Sequence, residues 1–114
     1  MKLIGSKMEK DYRAELIRSN EGLNSPDSNL GKALKTKGYP IKNAYVLHWT
    51  PEQLEDIYLV LIGGTSLVRV EIDKLDSSNP PIFEDIELRN YVHSLSRTNQ
   101  VRLAVAQDLV NAKT

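Results

Sequence analysis

Residues 57–62 constrain the fold of this 114-residue chain more than any other feature, because all six side chains in that run are apolar or aromatic. A strand with such side chains on both faces belongs in the centre of a sheet. Gly63-Gly64-Thr65 follows directly, and paired glycines permit a tight turn. The run therefore predicts a central β-strand that ends in a hairpin turn.

Alternating polarity predicts a further strand on either side of this run. Residues 67–73 alternate between apolar and charged side chains, as a half-buried strand does. Residues 44–50 also alternate, so we expect a three-stranded antiparallel meander with connections at residues 51–56 and 63–66. Strict alternation in the first strand places Tyr45, Leu47 and Trp49 on one face, and Val46 and His48 on the other.

Helical signals precede the strands. Ser6 and Glu9 form a capping box, after which apolar residues recur at helical spacing. Gly22 is the expected end of this first helix. A second helix is expected to begin after residues 25–28 and to end at Gly38.

Helical spacing returns after the strands. Residues 74–81 are expected to form a loop, and apolar residues between positions 88 and 95 predict a third helix. Thr98 is the expected cap of a fourth. Two helices, three strands and two helices predict a single α+β domain over residues 1–114.

Composition excludes several kinds of site. The chain has no cysteine, which removes disulfides and thiolate ligands and fits a reducing cytoplasm. The two histidines are too few for a histidine-rich metal site, so we expect neither a metal nor another cofactor. No run of eighteen apolar residues occurs and the start is unlike a signal peptide, so we expect a cytoplasmic protein without membrane segments.

The charges are unevenly distributed along a chain whose net charge is zero. Residues 43–90 contain nine acidic and three basic residues, while residues 1–42 contain five acidic and nine basic ones. Most of the affinity of a nucleic-acid binder comes from basic groups at phosphates. Because the aromatic-rich middle of the chain is acidic, we do not expect nucleic acid as the partner.

His48-Trp49-Thr50 is the first catalytic candidate. A pair of His-x-Thr/Ser motifs is the signature of two-histidine phosphoesterases, which use the histidines as acid and base. The second motif is incomplete, because Leu95 occupies the position two residues after His93 that needs a hydroxyl. A phosphodiesterase or ribonuclease that uses His48 remains an alternative, and a non-enzymatic protein is the preferred interpretation.

Two other groups of residues have the composition of functional sites. Asp56, Glu71 and Asp73 could bind Mg²⁺ in a nuclease, but Asp73 stands where nucleases have a lysine, so a solvated strand face is preferred. The C-terminal helices could instead form a helix-turn-helix in a DNA-binding regulator. The side chains facing the bases would be Arg97, Asn99, Gln100 and Arg102.

Acidic loops beside exposed aromatic residues predict a surface that binds a basic protein. Charged groups steer such an encounter, and aromatic side chains supply much of the binding energy. One cluster of acidic residues lies in the first hairpin connection, and another follows Pro80-Pro81. The predicted partner-binding residues are Trp49, Glu52, Glu55, Asp56, Glu84, Asp85 and Glu87.

The stretch AYVLHWTPEQLEDIYLVLIGGTSLVRVEID, together with the helix before it, resembles small bacterial immunity proteins. The shared features are the size, the order of helix and meander, the E-D-I-Y start of the central strand and a V-E-I strand after a hairpin. The resemblance covers residues 6–73 and carries over no binding residue. It implies a cytoplasmic inhibitor that covers the active site of a toxin, often a nuclease with a basic site.

Overall fold

The computed structural model describes residues 7–76 and 78–112, and it confirms the α+β class. The capping box at Ser6 lies outside the described residues. None of the helices within them is both long and apolar enough to span a membrane. In chain order the elements are α1 (Lys7–Leu23), α2 (Asn29–Lys37), β1 (Ala44–Pro51), β2 (Glu55–Ile62), β3 (Ser66–Asp73), β4 (Ile82–Ile86), α3 (Leu88–Ser94) and α4 (Arg97–Ala112).

The strands form one antiparallel sheet in the order β1-β2-β3-β4. The predicted meander of the first three strands is confirmed, with β2 inside the sheet. Gly63 and Gly64 join β2 to β3 with φ angles of 65° and 79°. Glycine adopts such left-handed angles without the steric cost that a Cβ brings, so both glycines favour this turn.

The prediction of three strands is wrong in one detail, because β4 adds a fourth. This strand pairs with β3, with Phe83 opposite Val70 and Ile86 opposite Leu67. Acidic and apolar side chains are mixed on both of its faces, since Glu84 shares a face with Ile86 and Asp85 shares one with Phe83. The sequence therefore lacks the alternation by which a half-buried strand is recognised.

A β-bulge in β1 changes which face its later residues occupy. The register with β2 shifts between Val46 and His48, so that His48 lies opposite Leu59 and Trp49 lies opposite Tyr58. The extra residue puts Leu47 and His48 on the same side of the sheet. The prediction that grouped Trp49 with Leu47 is therefore wrong, because Trp49 lies on the opposite face.

The two faces of the sheet are covered by different helices. On the first, which we call the α4 face, Tyr45 and Leu61 pack with Leu16 of α1 and with the apolar side of α4. On the second, the α2 face, Val60 and Val68 pack with Leu30 and Leu34 of α2. The sheet thus separates two apolar cores, and its inner strands contribute to both.

Helix α1 lies along the outer edge of β1 and binds its unpaired backbone groups. The backbone N–H of Val46 donates to the Ser19 hydroxyl at 3.1 Å. The Asn20 side-chain amide donates to the carbonyl oxygens of Lys42 at 2.9 Å and of Ala44 at 2.8 Å. These bonds occupy the edge groups through which this part of β1 could otherwise pair with another chain.

Helix α2 begins and ends at the residues that its sequence signals indicate. The Ser28 hydroxyl accepts from the Gly31 backbone N–H, and Gly38 ends α2 in the left-handed conformation with φ 102°. The expected cap at Thr98 is wrong, because α4 begins at Arg97 and the Ser96 hydroxyl accepts from the Asn99 backbone N–H. Gly22 does not end α1 either, since the helix continues to Leu23.

Candidate protein-binding surface

Large exposed apolar side chains are concentrated at one end of the sheet. Trp49 at the end of β1 is 59% exposed, Leu54 in the β1–β2 turn is 61% exposed, and Leu75 after β3 is 74% exposed. The antiparallel register brings these segments to the same end, because Glu55 lies opposite Asp73. We call this end, with its acidic residues Glu52, Glu55, Asp56, Asp73 and Asp76, the tip surface.

Trp49 is held in a fixed position although most of its surface is exposed. Its ring stacks on Tyr58, with 6.3 Å between the centroids and 9° between the planes. Its indole Nε1 donates to the Asp56 carboxylate at 3.1 Å. The Lys74 ammonium lies 3.2 Å from the same carboxylate. A partner would therefore meet an aromatic side chain that is already ordered.

Backbone and side-chain hydrogen bonds join the two loops of the tip surface. The Lys74 backbone N–H donates to the Leu54 carbonyl at 3.0 Å, which connects the segment after β3 to the β1–β2 turn. The Lys74 ammonium also donates to the Glu52 carbonyl. Within the turn, the Glu52 backbone N–H donates to the Glu55 carbonyl at 2.8 Å. Leu54 and Leu75 thus lie on connected segments.

Asp73 organises the loop that presents Leu75. Its carboxylate accepts from the Asn79 side chain at 2.7 Å and from the backbone N–H groups of Leu75 and Asp76 at 2.7 and 3.0 Å. The Asn79 bond, followed by the two backbone bonds, holds the pKa of Asp73 below its usual value. The carboxylate therefore stays charged and adds to the negative potential of the tip surface.

The structure divides the seven predicted partner-binding residues into two groups. Trp49, Glu52, Glu55 and Asp56 lie at the tip surface, although Glu55 and Asp56 point to opposite faces of the sheet because they are consecutive in β2. The other three lie at the edge of the sheet formed by β4, away from β1. They are Glu84 and Asp85 in β4, which pairs with residues 67–71 of β3, and Glu87 just after it.

The carboxylates near β4 differ in their surroundings. Glu84 lies 3.9 Å from the Arg69 guanidinium, which also contacts Glu71 at 3.0 Å. Asp85 accepts a hydrogen bond from the Tyr39 hydroxyl at 3.1 Å. Glu87 directly precedes α3 and makes no side-chain capping bond there. The tip surface is the stronger candidate because it combines carboxylates with the exposed side chains of Trp49, Leu54 and Leu75.

His48 is partly buried on the α4 face. Its burial, together with the positive charge of Arg102, lowers the pKa of the imidazole below 6.5. His93 lies exposed on α3. No group of three or more His, Asp or Glu side chains within residues 7–76 and 78–112 is arranged to hold a metal ion.

Arg102 points into the fold. Its Nε donates to the Leu47 carbonyl at the bulge at 2.6 Å, and its guanidinium contacts the Glu15 carboxylate at 2.9 Å and lies 5.1 Å from the Tyr12 ring centroid. These contacts join α4 to β1 and α1. They hold the side chain away from the position that a helix-turn-helix would require at a base edge.

Sequence reasoning missed Leu54 and Leu75 as members of the tip surface. Each is a single large apolar residue within a polar connection, and that isolation was the available signal. Their adjacency depends on the Lys74–Leu54 backbone bond, which no local pattern reveals.

No protein-family model matches this chain, and no curated protein or solved structure shows significant similarity to it.

Proposed function

We propose that this chain is a non-catalytic inhibitor that binds a basic protein through the tip surface. The observation that carries the proposal is the exposure of Trp49, Leu54 and Leu75 at one acidic end of the sheet. Exposed large apolar side chains that lie together are typical of interaction sites. Tryptophan is also among the residues that contribute most binding energy at protein interfaces.

The acidic residues of the tip surface determine which partner fits. Glu52 and Glu55 belong to no ion pair recorded among the described residues, and Asp73 is held in its charged form. Carboxylates around an apolar centre accelerate encounter with a basic surface and oppose binding to an acidic one. A basic partner is therefore the best match.

The resemblance of residues 6–73 to immunity proteins indicates which class of inhibitor and which class of partner we propose. The chain would be a cytoplasmic immunity protein, and its partner would be the basic domain of a cognate toxin such as a nuclease. Covering a basic active site would neutralise the toxin without any catalytic group on the inhibitor.

The test uses two double variants that change the charge equally. Glu52→Lys/Glu55→Lys reverses two charges of the tip surface and spares Asp56, which holds Trp49 and Lys74. Asp11→Lys/Glu21→Lys reverses two exposed charges on α1 and is the control. The wild-type chain is first used to capture basic proteins from its native cells, and the one chosen is a protein whose expression alone arrests growth. Each variant is then co-expressed with that protein.

We expect the wild type and the α1 control to restore growth and the tip variant to fail. Measured by stopped flow at low salt, association of the tip variant should be slower and less sensitive to added salt. Trp49→Ala should weaken binding by about 30-fold or more, as loss of a central aromatic residue does. Equal protection by the two double variants would show that the tip surface is not the interface.

A further inference from the structure

A groove of about 510 Å³ lies on the α2 face, between the end of α1, the α1–α2 connection and strands β1 and β2. Its apolar lining includes Leu23, Leu30 and Val46. Its volume falls within the range of sites that bind small molecules or single side chains. Tyr58 also lines the groove, and because Trp49 stacks on Tyr58, the groove borders the tip surface.

The polar groups around the groove differ in their availability. The Ser19 hydroxyl accepts from the Val46 backbone N–H, and the Ser28 hydroxyl accepts from the Gly31 backbone N–H. Asp27 is the charged residue among those that line the groove. It is exposed, and the ion pairs recorded between described residues do not include it. Its carboxylate is therefore available to a ligand.

We propose that this groove receives an arginine side chain of the partner, with the guanidinium on the Asp27 carboxylate and the stem against Val46 and Tyr58. This inference rests on the proposed function and specifies the partner's chemistry. A guanidinium is planar, forms paired hydrogen bonds with a carboxylate and stacks on aromatic rings. A lysine ammonium is more strongly hydrated and makes neither the paired bonds nor the stacking contact.

The test is an NMR titration of the isolated chain with three blocked peptides, Ac-Gly-Arg-Gly-NH2 and its lysine and citrulline counterparts. Citrulline keeps nearly the shape of arginine but has no charge. The signals followed are the Asp27 backbone amide and the indole N–H of Trp49, the single tryptophan of the chain. We expect saturable shifts with the arginine peptide at millimolar concentrations, weaker shifts with lysine and the weakest with citrulline.

Two variants that each remove one negative charge test whether the Asp27 carboxylate is the group that binds the arginine peptide. Asp27→Asn should weaken binding of the arginine peptide by about threefold, as loss of an exposed ion pair does. Glu21→Gln, at an exposed position of α1 that does not line the groove, should leave binding unchanged. Equal affinity for the arginine and citrulline peptides, or an unchanged affinity in Asp27→Asn, would overturn the proposal.

This titration needs no toxin, so its outcome is separate from that of the growth experiment. Arginine binding without protection against a toxin would refute the proposed function and leave the groove assignment in place. Protection against a toxin without any effect of Asp27→Asn on peptide binding would refute the groove assignment alone.

Discussion

His48 illustrates how neighbours outside its own strand determine the chemistry of a side chain. The sequence places it between Leu47 and Trp49 and predicts an outward-facing residue. The bulge instead turns it towards Leu59 and the helix that carries Arg102. A neutral imidazole is compatible with this partly buried position, whereas an imidazolium loses hydration and is repelled by the guanidinium.

We predict that His48 makes the folded chain less stable at mildly acidic pH. Its pKa is lowered on folding, so the unfolded chain binds more protons between the lowered pKa and 6.5. The free energy of unfolding should therefore fall as the pH falls through 6.5 towards the folded pKa, and should show no contribution from His48 well above 6.5. His48→Gln removes this proton-binding group.

Urea denaturation at pH 7.5 and pH 5.5 provides the measurement. The wild type should lose more stability between these two values than His48→Gln does, because His48 is the only residue that differs between the two proteins. An identical loss in the two proteins would contradict the prediction. The same variant, assayed on RNA and on a cyclic phosphodiester, tests the alternative in which His48 is a catalytic base.

Helices and strands with a regular repeat of apolar side chains could be predicted from the sequence. Features that depend on pairing with an adjacent strand could not. Strand β3 and helix α2 carry clear alternation, capping and termination signals, and both are found as expected. The bulge in β1 and the strand β4 exist because of their pairing with β2 and β3, which local sequence does not encode. The same limit explains why the sequence places Trp49, a predicted binding residue, on the wrong face.

The packing of α2 against the end of α1 leads to a second prediction. A Cβ on Gly31 would lie 2.1 Å from the Leu23 carbonyl oxygen, which is a backbone atom and cannot move away as the end of a flexible side chain could. Gly31→Ala should therefore lower the free energy of unfolding by about 2–3 kcal/mol, the usual cost of overpacking. The measurement is chemical denaturation followed by far-UV circular dichroism.

Gly22→Ala is the matched control for this substitution. Gly22 lies in the last turn of α1, and a Cβ there would have no atom within 4 Å. Alanine should stabilise the helix by about 0.5 kcal/mol, because it restricts the unfolded backbone more than glycine does. A destabilisation of similar size in both variants would show that the close contact at Gly31 is not responsible.

At the scale of the whole molecule, the sheet joins two cores that could not unfold independently. Val60 and Leu61 are consecutive in β2 and fully buried, yet they belong to the cores on the α2 face and the α4 face respectively. Opening either core would expose β2. We therefore expect a single cooperative unfolding transition, as small domains usually show.

Truncation of one leucine in each core tests this expectation. Leu16→Ala on the α4 face and Leu34→Ala on the α2 face remove fully buried side chains, and each should cost about 3 kcal/mol. In each variant, the transition midpoint measured by Trp49 fluorescence should equal the midpoint measured by far-UV circular dichroism. Separate midpoints for the two probes would show that the cores unfold in steps.

Leu75→Ala is the control of the same residue type, since Leu75 is largely exposed. It should change stability by less than about 0.5 kcal/mol. It should nevertheless weaken binding of the partner, because Leu75 belongs to the tip surface. This combination separates a loss of folding from a loss of binding.

The bulge at Leu47 also has a consequence for how this surface can be kept as the sequence changes. A bulge absorbs one extra residue locally, so the residues beyond it keep the orientation that their pairing with the next strand sets. Deletion of Leu47 would remove a buried side chain, but His48 would still lie opposite Leu59 and Trp49 would still lie opposite Tyr58. The outer strand can thus change in length by a single indel without reversing the face on which the indole is displayed.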